Sequence, residues 1–205
     1  MAKKKFTDLQ TFIILTMVCI LSAGILAVVY NVTKDPIARA EAKEKEMALK
    51  IVLPGDMKSL KKEMLSYEGQ NVEINVALDQ NGNPIGYALE SITPNGYGGD
   101  IVFLIGLDSE GRINTYKIMS HQETPGLGDN LRSGEFSKQF KGKNLENFVF
   151  KVAKDGGKVQ AITAATISSR AACEALENGL KVFNAYKKGI SNPSQKIDPN
   201  PGASE

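Results

Sequence analysis

The chain has 205 residues, enough for one ordinary domain with appendages, and its 25 basic and 23 acidic residues leave a formal net charge of +2. Such a balance supplies no basic field for nucleic acid, which sets that class of partner aside. Cys19 and Cys173 form neither a zinc spacing nor a CxxC pair, and the single histidine, His121, excludes a multi-histidine metal site and a haem with two histidine ligands.

Residues 11–32, "TFIILTMVCILSAGILAVVYNV", contain no charged side chain. As a helix rising about 1.5 Å per residue they are long enough to cross a hydrocarbon core of about 30 Å. The run exceeds the apolar region of a cleaved signal peptide, so it reads as a transmembrane anchor. Its Ser22, Ala23, Gly24 and Ala27 permit close helix contact in a membrane. "AKKK" precedes the span and a stretch of mixed sign follows it, so the positive-inside bias predicts a cytoplasmic N-terminus over 1–10 and an extracytoplasmic main domain. Asp35-Pro36 can open a second helix that Pro54-Gly55 stops, and residues 33–70 are expected to be a helical stalk and linker.

A folded domain is expected over 71–190. "VEINVALD" alternates, "QNGNP" supplies a turn and "IGYALESI" returns, the pattern of a β-hairpin. "DIVFLIGLD", "SEG" and "RINTYKIMS" repeat it, and "NFVFKVA" predicts a further strand. From Ile167 onward Ala172, Leu176, Leu180 and Phe183 recur at helical spacing, with Gly189 as the stop. The fold class is therefore α+β: an antiparallel sheet with packed helices behind one N-terminal transmembrane helix. Residues 191–205, rich in proline and polar side chains, read as a disordered tail.

Two stretches carry chemistry. In "AITAATISS", residues 161–169, a helix is about to begin, and its first turn offers unpaired N–H groups and a positive dipole end. Ala164 and Ala165 keep bulk away from the backbone, while Thr163, Ser168 and Ser169 carry hydroxyls suited to a phosphate. The same residues also suit an ordinary helix start with Thr166 as N-cap. In "HQETPGLGDN", residues 121–130, Pro125, Gly126 and Gly128 imply a rigid loop of close approach, or a sharp turn with a capping aspartate. His121 is open between proton donor and packing residue, and Cys173 reads as a buried, inert thiol. No Ser-His-Asp set or recognisable carboxylate pair is present.

Together "GYGGDI" at 96–101, "ETPGLGD" at 123–129 and "TAATISS" at 163–169, with the anchor and a stalk ending in "VLPG", resemble the FMN-binding subunits of membrane-bound ion-pumping oxidoreductases. The G subunit of the Rnf complex is the specific likeness. The C subunit of the sodium-pumping NADH:quinone reductase is its relative and the alternative assignment, with a flavin-dependent membrane sensor as another. The resemblance implies FMN joined covalently, through a phosphoester made by a flavin transferase, to the hydroxyl of Thr166. Ala164 stands where glycine is usual in the family.

The resemblance further implies that Thr163, Ala164, Ala165, Ile167, Ser168 and Ser169 surround the attachment point, with Glu123, Thr124, Leu127 and Gly128 beside the flavin; Tyr97 is open between stacking on the ring and covering the core from a turn. It implies a redox relay without stand-alone turnover. The implied partners are other Rnf-type membrane subunits, including a second covalent-FMN subunit and iron-sulfur subunits, in the cell (inner) membrane.

Overall fold

A computed structural model describes residues 8–189; residues 1–7 and the expected tail 191–205 lie outside the described residues. Helix α1 spans Asp8–Val52, and five strands follow: β1 Ser59–Tyr67, β2 Gln70–Leu78, β3 Pro84–Thr93, β4 Ile101–Asp108 and β5 Ile113–Ser120. After a 3-10 turn at Gly128–Arg132 come α2 Gly134–Lys138, a second 3-10 turn at Ala153–Asp155, and α3 Thr166–Lys187. The chain forms two compact units, Met1–Glu46 and Met47–Glu205.

In the first unit α1 is long and apolar enough to cross a membrane. The sequence pattern predicts a new helix at Asp35-Pro36, but α1 runs unbroken for 45 residues with Pro36 inside it. Proline forfeits one ladder hydrogen bond, and propagation from established turns on both sides carries the helix across that gap. Thr33 Oγ1 donates to the Val29 carbonyl at 2.8 Å in the turn before it.

The second unit is built on a purely antiparallel sheet in the order β1-β2-β3-β4-β5, a meander in which each strand pairs with its sequence neighbour. Both anticipated hairpins are present. Asp79 Oδ1 accepts the Asn81 and Asn83 N–H groups at 2.8 Å in one turn, and Asp108 Oδ1 accepts those of Glu110 and Arg112 at 2.9 Å in the other. An aspartate that satisfies two turn amides closes both loops.

Two elements differ from expectation. The stalk and linker predicted over 33–70 contains β1, which pairs with β2 from Ser59↔Leu78 to Tyr67↔Gln70. Leu65 is the one fully buried side chain in "SLKKEMLSY", so this edge strand lacks the two-residue alternation that marks the others. "NFVFKVA" forms no strand: Val152 makes an isolated parallel bridge to Val159. Phe148 and Phe150 instead close on Phe140 and on each other, with ring centroids 5.2 to 6.4 Å apart, so the apolar alternation serves an aromatic cluster.

The sheet is covered on both faces. Phe103, Ile105 and Leu107 of β4, with Tyr87 and Leu89 of β3, pack with Ala172, Leu176, Leu180 and Phe183 of α3. The opposite face presents Ala77, Ala88 and Leu104 to Ala48, Leu49 and Val52 at the end of α1. Gly106 lies under that helix end, where an added Cβ would stand 2.2 Å from the Val52 carbonyl oxygen. Asn114 Nδ2 donates to the same oxygen at 3.3 Å.

Candidate functional site

Three segments converge at the start of α3: the loop joining β3 to β4, the loop after β5, and residues 161–169. The first turn of α3 is open. Its hydrogen-bond ladder begins with the Ser169 N–H on the Ala165 carbonyl at 3.0 Å, so the N–H groups of Thr166, Ile167 and Ser168 have no carbonyl behind them. Thr166 is not the N-cap. Ala165 holds that position, with φ −133° and no side-chain cap, and Thr166 is the first helical residue.

Ala164 adopts φ +60°, the left-handed region, where a Cβ costs about 1 kcal/mol. Glycine adopts that conformation without this cost. The turn at Ala164 swings the chain so that Ser169, buried beneath the turn, receives the Ile162 N–H on Oγ at 2.9 Å and donates to the Ala165 carbonyl at 2.9 Å. The approach to the turn is held by Gln139, whose Oε1 accepts the Gln160 N–H at 2.7 Å and whose Nε2 donates to the Gln160 carbonyl at 3.2 Å. Arg170 donates through Nε and Nη2 to Asp155 at 2.7 and 2.8 Å, pinning the helix to the second 3-10 turn. The guanidinium holds the Asp155 carboxyl below the usual carboxylate range.

Glu123 ties the three segments together. Its carboxylate is buried, accepts the Gly98 N–H at 3.1 Å on Oε1, and takes the Ser168 hydroxyl on Oε2. Gly128 passes so close that a Cβ there would lie 2.2 Å from Glu123 Oε2 and 2.7 Å from Ser168 Oγ. Glycine is the residue this crossing permits. The loop between β3 and β4 is further tied to α3 by Asn95, whose Nδ2 donates to Glu174 at 2.8 and 3.0 Å. Sequence reasoning missed Gly98, Asn95 and Glu174; "GYGG" beside a required carboxylate is the signal that points to the first of them.

These segments enclose a cavity of about 540 Å³, within the 300–1,000 Å³ range of small-molecule sites. Of the sequence-predicted residues, Tyr97, Glu123, Thr124, Leu127 and Gly128 line it on one side, and Ala164, Ala165, Thr166, Ile167 and Ser168 on the other. Thr163 is exposed outside the lining and Ser169 supports it from below. Thr166, half-buried, has no hydrogen-bond partner for its hydroxyl among the described residues. Around the mouth Tyr97 is 71% exposed, Ile167 47% and Leu127 41%, an unusual concentration of uncovered apolar surface for one loop cluster. Cys173 is buried in α3, away from the lining, and burial pushes its thiol up to about 12, so it stays protonated and inert.

A helix start with free N–H groups, an available hydroxyl and a wide apolar mouth is chemically suited to a phosphate-bearing ring compound. The family model for an FMN-binding domain matches residues 96–181, which contain all of these features, and the model for the RnfG N-terminal region matches residues 13–52. The G subunit of the ion-translocating oxidoreductase complex of Vibrio vulnificus is 33% identical over 83% of this chain and 87% of its own length. Its counterpart in Shewanella baltica is 32% identical over 83% and 87%. The chain belongs to this family of G subunits. Among solved structures, the C subunit of the Na(+)-translocating NADH-quinone reductase of Parabacteroides distasonis is 27% identical, with a TM-score of 0.46 over 62% of this chain and 65% of that one.

Proposed function

We propose that this chain is the flavin-carrying electron-transfer subunit of an Rnf-type ion-translocating oxidoreductase complex, with FMN held in the 540 Å³ cavity and esterified through its phosphate to Thr166. The observation that carries the reading is the unpartnered Thr166 hydroxyl on a turn whose three leading N–H groups are also unpartnered. Bound there, the flavin supplies two-electron and one-electron redox chemistry.

The protein's own residues bind, orient and shield. The N–H groups of Thr166, Ile167 and Ser168 face a phosphate with the positive end of α3. Ala164 and Ala165 keep the backbone approachable. Tyr97, Leu127 and Ile167 offer apolar surface to a ring and limit water at its edge. Glu123 holds its own loop to the 96–99 loop by accepting from Gly98 and to α3 by accepting from Ser168. The relay of electrons itself requires no nucleophile or general base of the chain. The transmembrane reading of α1 goes with an N-terminus in the cytoplasm, a main domain outside it, and membrane-embedded partner subunits. Those partners include a second covalent-FMN subunit and iron-sulfur subunits, with a flavin transferase acting in maturation.

The test is protein produced beside a flavin transferase and then denatured. Fluorescence that stays with the chain in a denaturing gel, and a mass increase of one FMN less water on the peptide containing Thr166, are the expected results. A colourless protein with unmodified Thr166 refutes the covalent reading, and failure to retain added FMN refutes the flavin site altogether.

A further inference from the structure

His121 stands just before "ETPGLGD", outside the cavity lining, with its side chain only 11% exposed. Both ring nitrogens are engaged. The Glu123 N–H donates to Nδ1 at 3.1 Å, which makes Nδ1 the acceptor and leaves the ring proton on Nε2, 3.2 Å from Asp129 Oδ1. Residues 123 and 129 are the two ends of the loop that walls one side of the cavity. Within that loop the Leu127 and Asp129 N–H groups both donate to the Thr124 carbonyl, at 3.1 and 3.3 Å, and Asn130 Nδ2 donates to the Gly126 carbonyl at 2.7 Å. Arg132 Nε, 3.4 Å from Asp129 Oδ1, holds the far carboxylate in place.

We infer that His121 is a positioning residue for the flavin: one imidazole grips both ends of loop 123–129 and thereby sets where Thr124, Leu127 and Gly128 stand against the cofactor. The inference rests on the reading of the cavity as the flavin site. Its consequence is that the ring acts on the flavin through the loop rather than by passing a proton to it. The backbone end of the grip also fixes Glu123, whose carboxylate joins the other two segments. A displacement at His121 would therefore reach the whole pocket wall.

Three variants of the full chain separate positioning from plain stability. His121→Ala removes both contacts. In His121→Asn the amide oxygen stands in for Nδ1 and keeps the Glu123 end, whereas His121→Gln reaches toward Asp129 and keeps the other. At the wild-type midpoint potential, His121→Ala is expected to change the oxidised-to-reduced flavin ratio about tenfold and to alter the visible circular dichroism of the bound flavin, the scale of one lost hydrogen bond. His121→Asn recovers most of that change and His121→Gln little of it. In flavin-free protein, exchange of the Glu123 amide quickens about tenfold in His121→Ala and slows again in His121→Asn.

Wild-type potential, dichroism and amide exchange in all three variants would overturn the inference. So would a fall in melting temperature with those three readouts unmoved. Should His121→Ala fail to fold, the contrast between His121→Asn and His121→Gln decides the matter alone. Wild-type protein that holds no flavin refutes the pocket assignment instead, and the exchange measurement on flavin-free protein still tests the grip.

Discussion

On the face that receives α3, strand β4 contributes Phe103, Ile105 and Leu107, whereas on the opposite face the same strand contributes Leu104 and Gly106. The first face is filled by large side chains interlocked with a helix stripe, the arrangement that supplies most of the burial. The second includes a shelf of small residues, Ala77, Gly86, Ala88 and Gly106, on which the Val52 backbone carbonyl and the Pro54 ring rest closely. Large residues stabilise by area and tolerate modest repacking; small ones act by permitting a single close approach. The site stands at the N-terminal end of the helix on the first face, so its geometry depends on that packing and not on the shelf.

Emptying the site without touching either face is the strongest separation of the two roles. Thr166→Ala is expected to abolish flavin retained after denaturation while leaving the melting temperature close to wild type, and Thr166→Ser to retain part of it. In-gel fluorescence and mass spectrometry read the first effect, calorimetry the second. Phe103→Ala attacks the large-residue face and should cost about 3–5 kcal/mol in denaturant unfolding of the full chain. Gly106→Ala attacks the shelf by forcing a Cβ against the Val52 carbonyl, and about 1–3 kcal/mol is the expected loss, with added flavin still bound. Equal damage to flavin binding from the Phe103 and Gly106 variants would break the comparison.

Gly128→Ala sharpens it from the site's side. Its Cβ would meet Glu123 and Ser168, so flavin retention should fall more than stability does. The smallest effect concerns acid. The Arg170 hydrogen bonds depress the Asp155 carboxyl, so this pair's contribution is full above the usual carboxylate pKa near 4 and is lost as pH falls through the lower folded value. Both groups are exposed, so Asp155→Asn should leave neutral stability nearly unchanged and make the decline of melting temperature below pH 4 slightly shallower. Melting curves across pH 2–6 check this; a steeper decline would reverse the sign.

Local signals were sufficient wherever a segment's own chemistry decides its state. The apolar run at 11–32, both aspartate-closed hairpins and the stripe Ala172, Leu176, Leu180, Phe183 were legible because periodicity and turn residues act over a few positions. Strand β1 was not. This polar edge strand is held by its hairpin with β2 across the two-residue turn Glu68-Gly69, both at positive φ, and its own side chains carry no apolar alternation in "SLKKEMLSY". Pro36 misled in the opposite direction, since a cost at one residue is absorbed by the turns around it.

At the site, the composition of "TAATISS" and "ETPGLGD" suited an ordinary helix start and turn as well as a phosphate site, and the family resemblance of the two motifs together is what pointed to FMN. Assigning the N-cap to Ala165 required the left-handed turn at Ala164, and the link from Glu123 to Gly98 and Ser168 required three segments to meet across 25 and 45 residues of sequence. Residue types and spacings by themselves determined the long apolar helix and the fold class, because those follow from short-range propensity, whereas the kind of cofactor was legible only through the resemblance of whole motifs to a family. Which carboxylate joins which loops, which hydroxyl is left without a partner, and what the His121 imidazole contacts were decided only by tertiary packing, because hydrogen bonds between distant segments depend on where the sheet and α3 bring them.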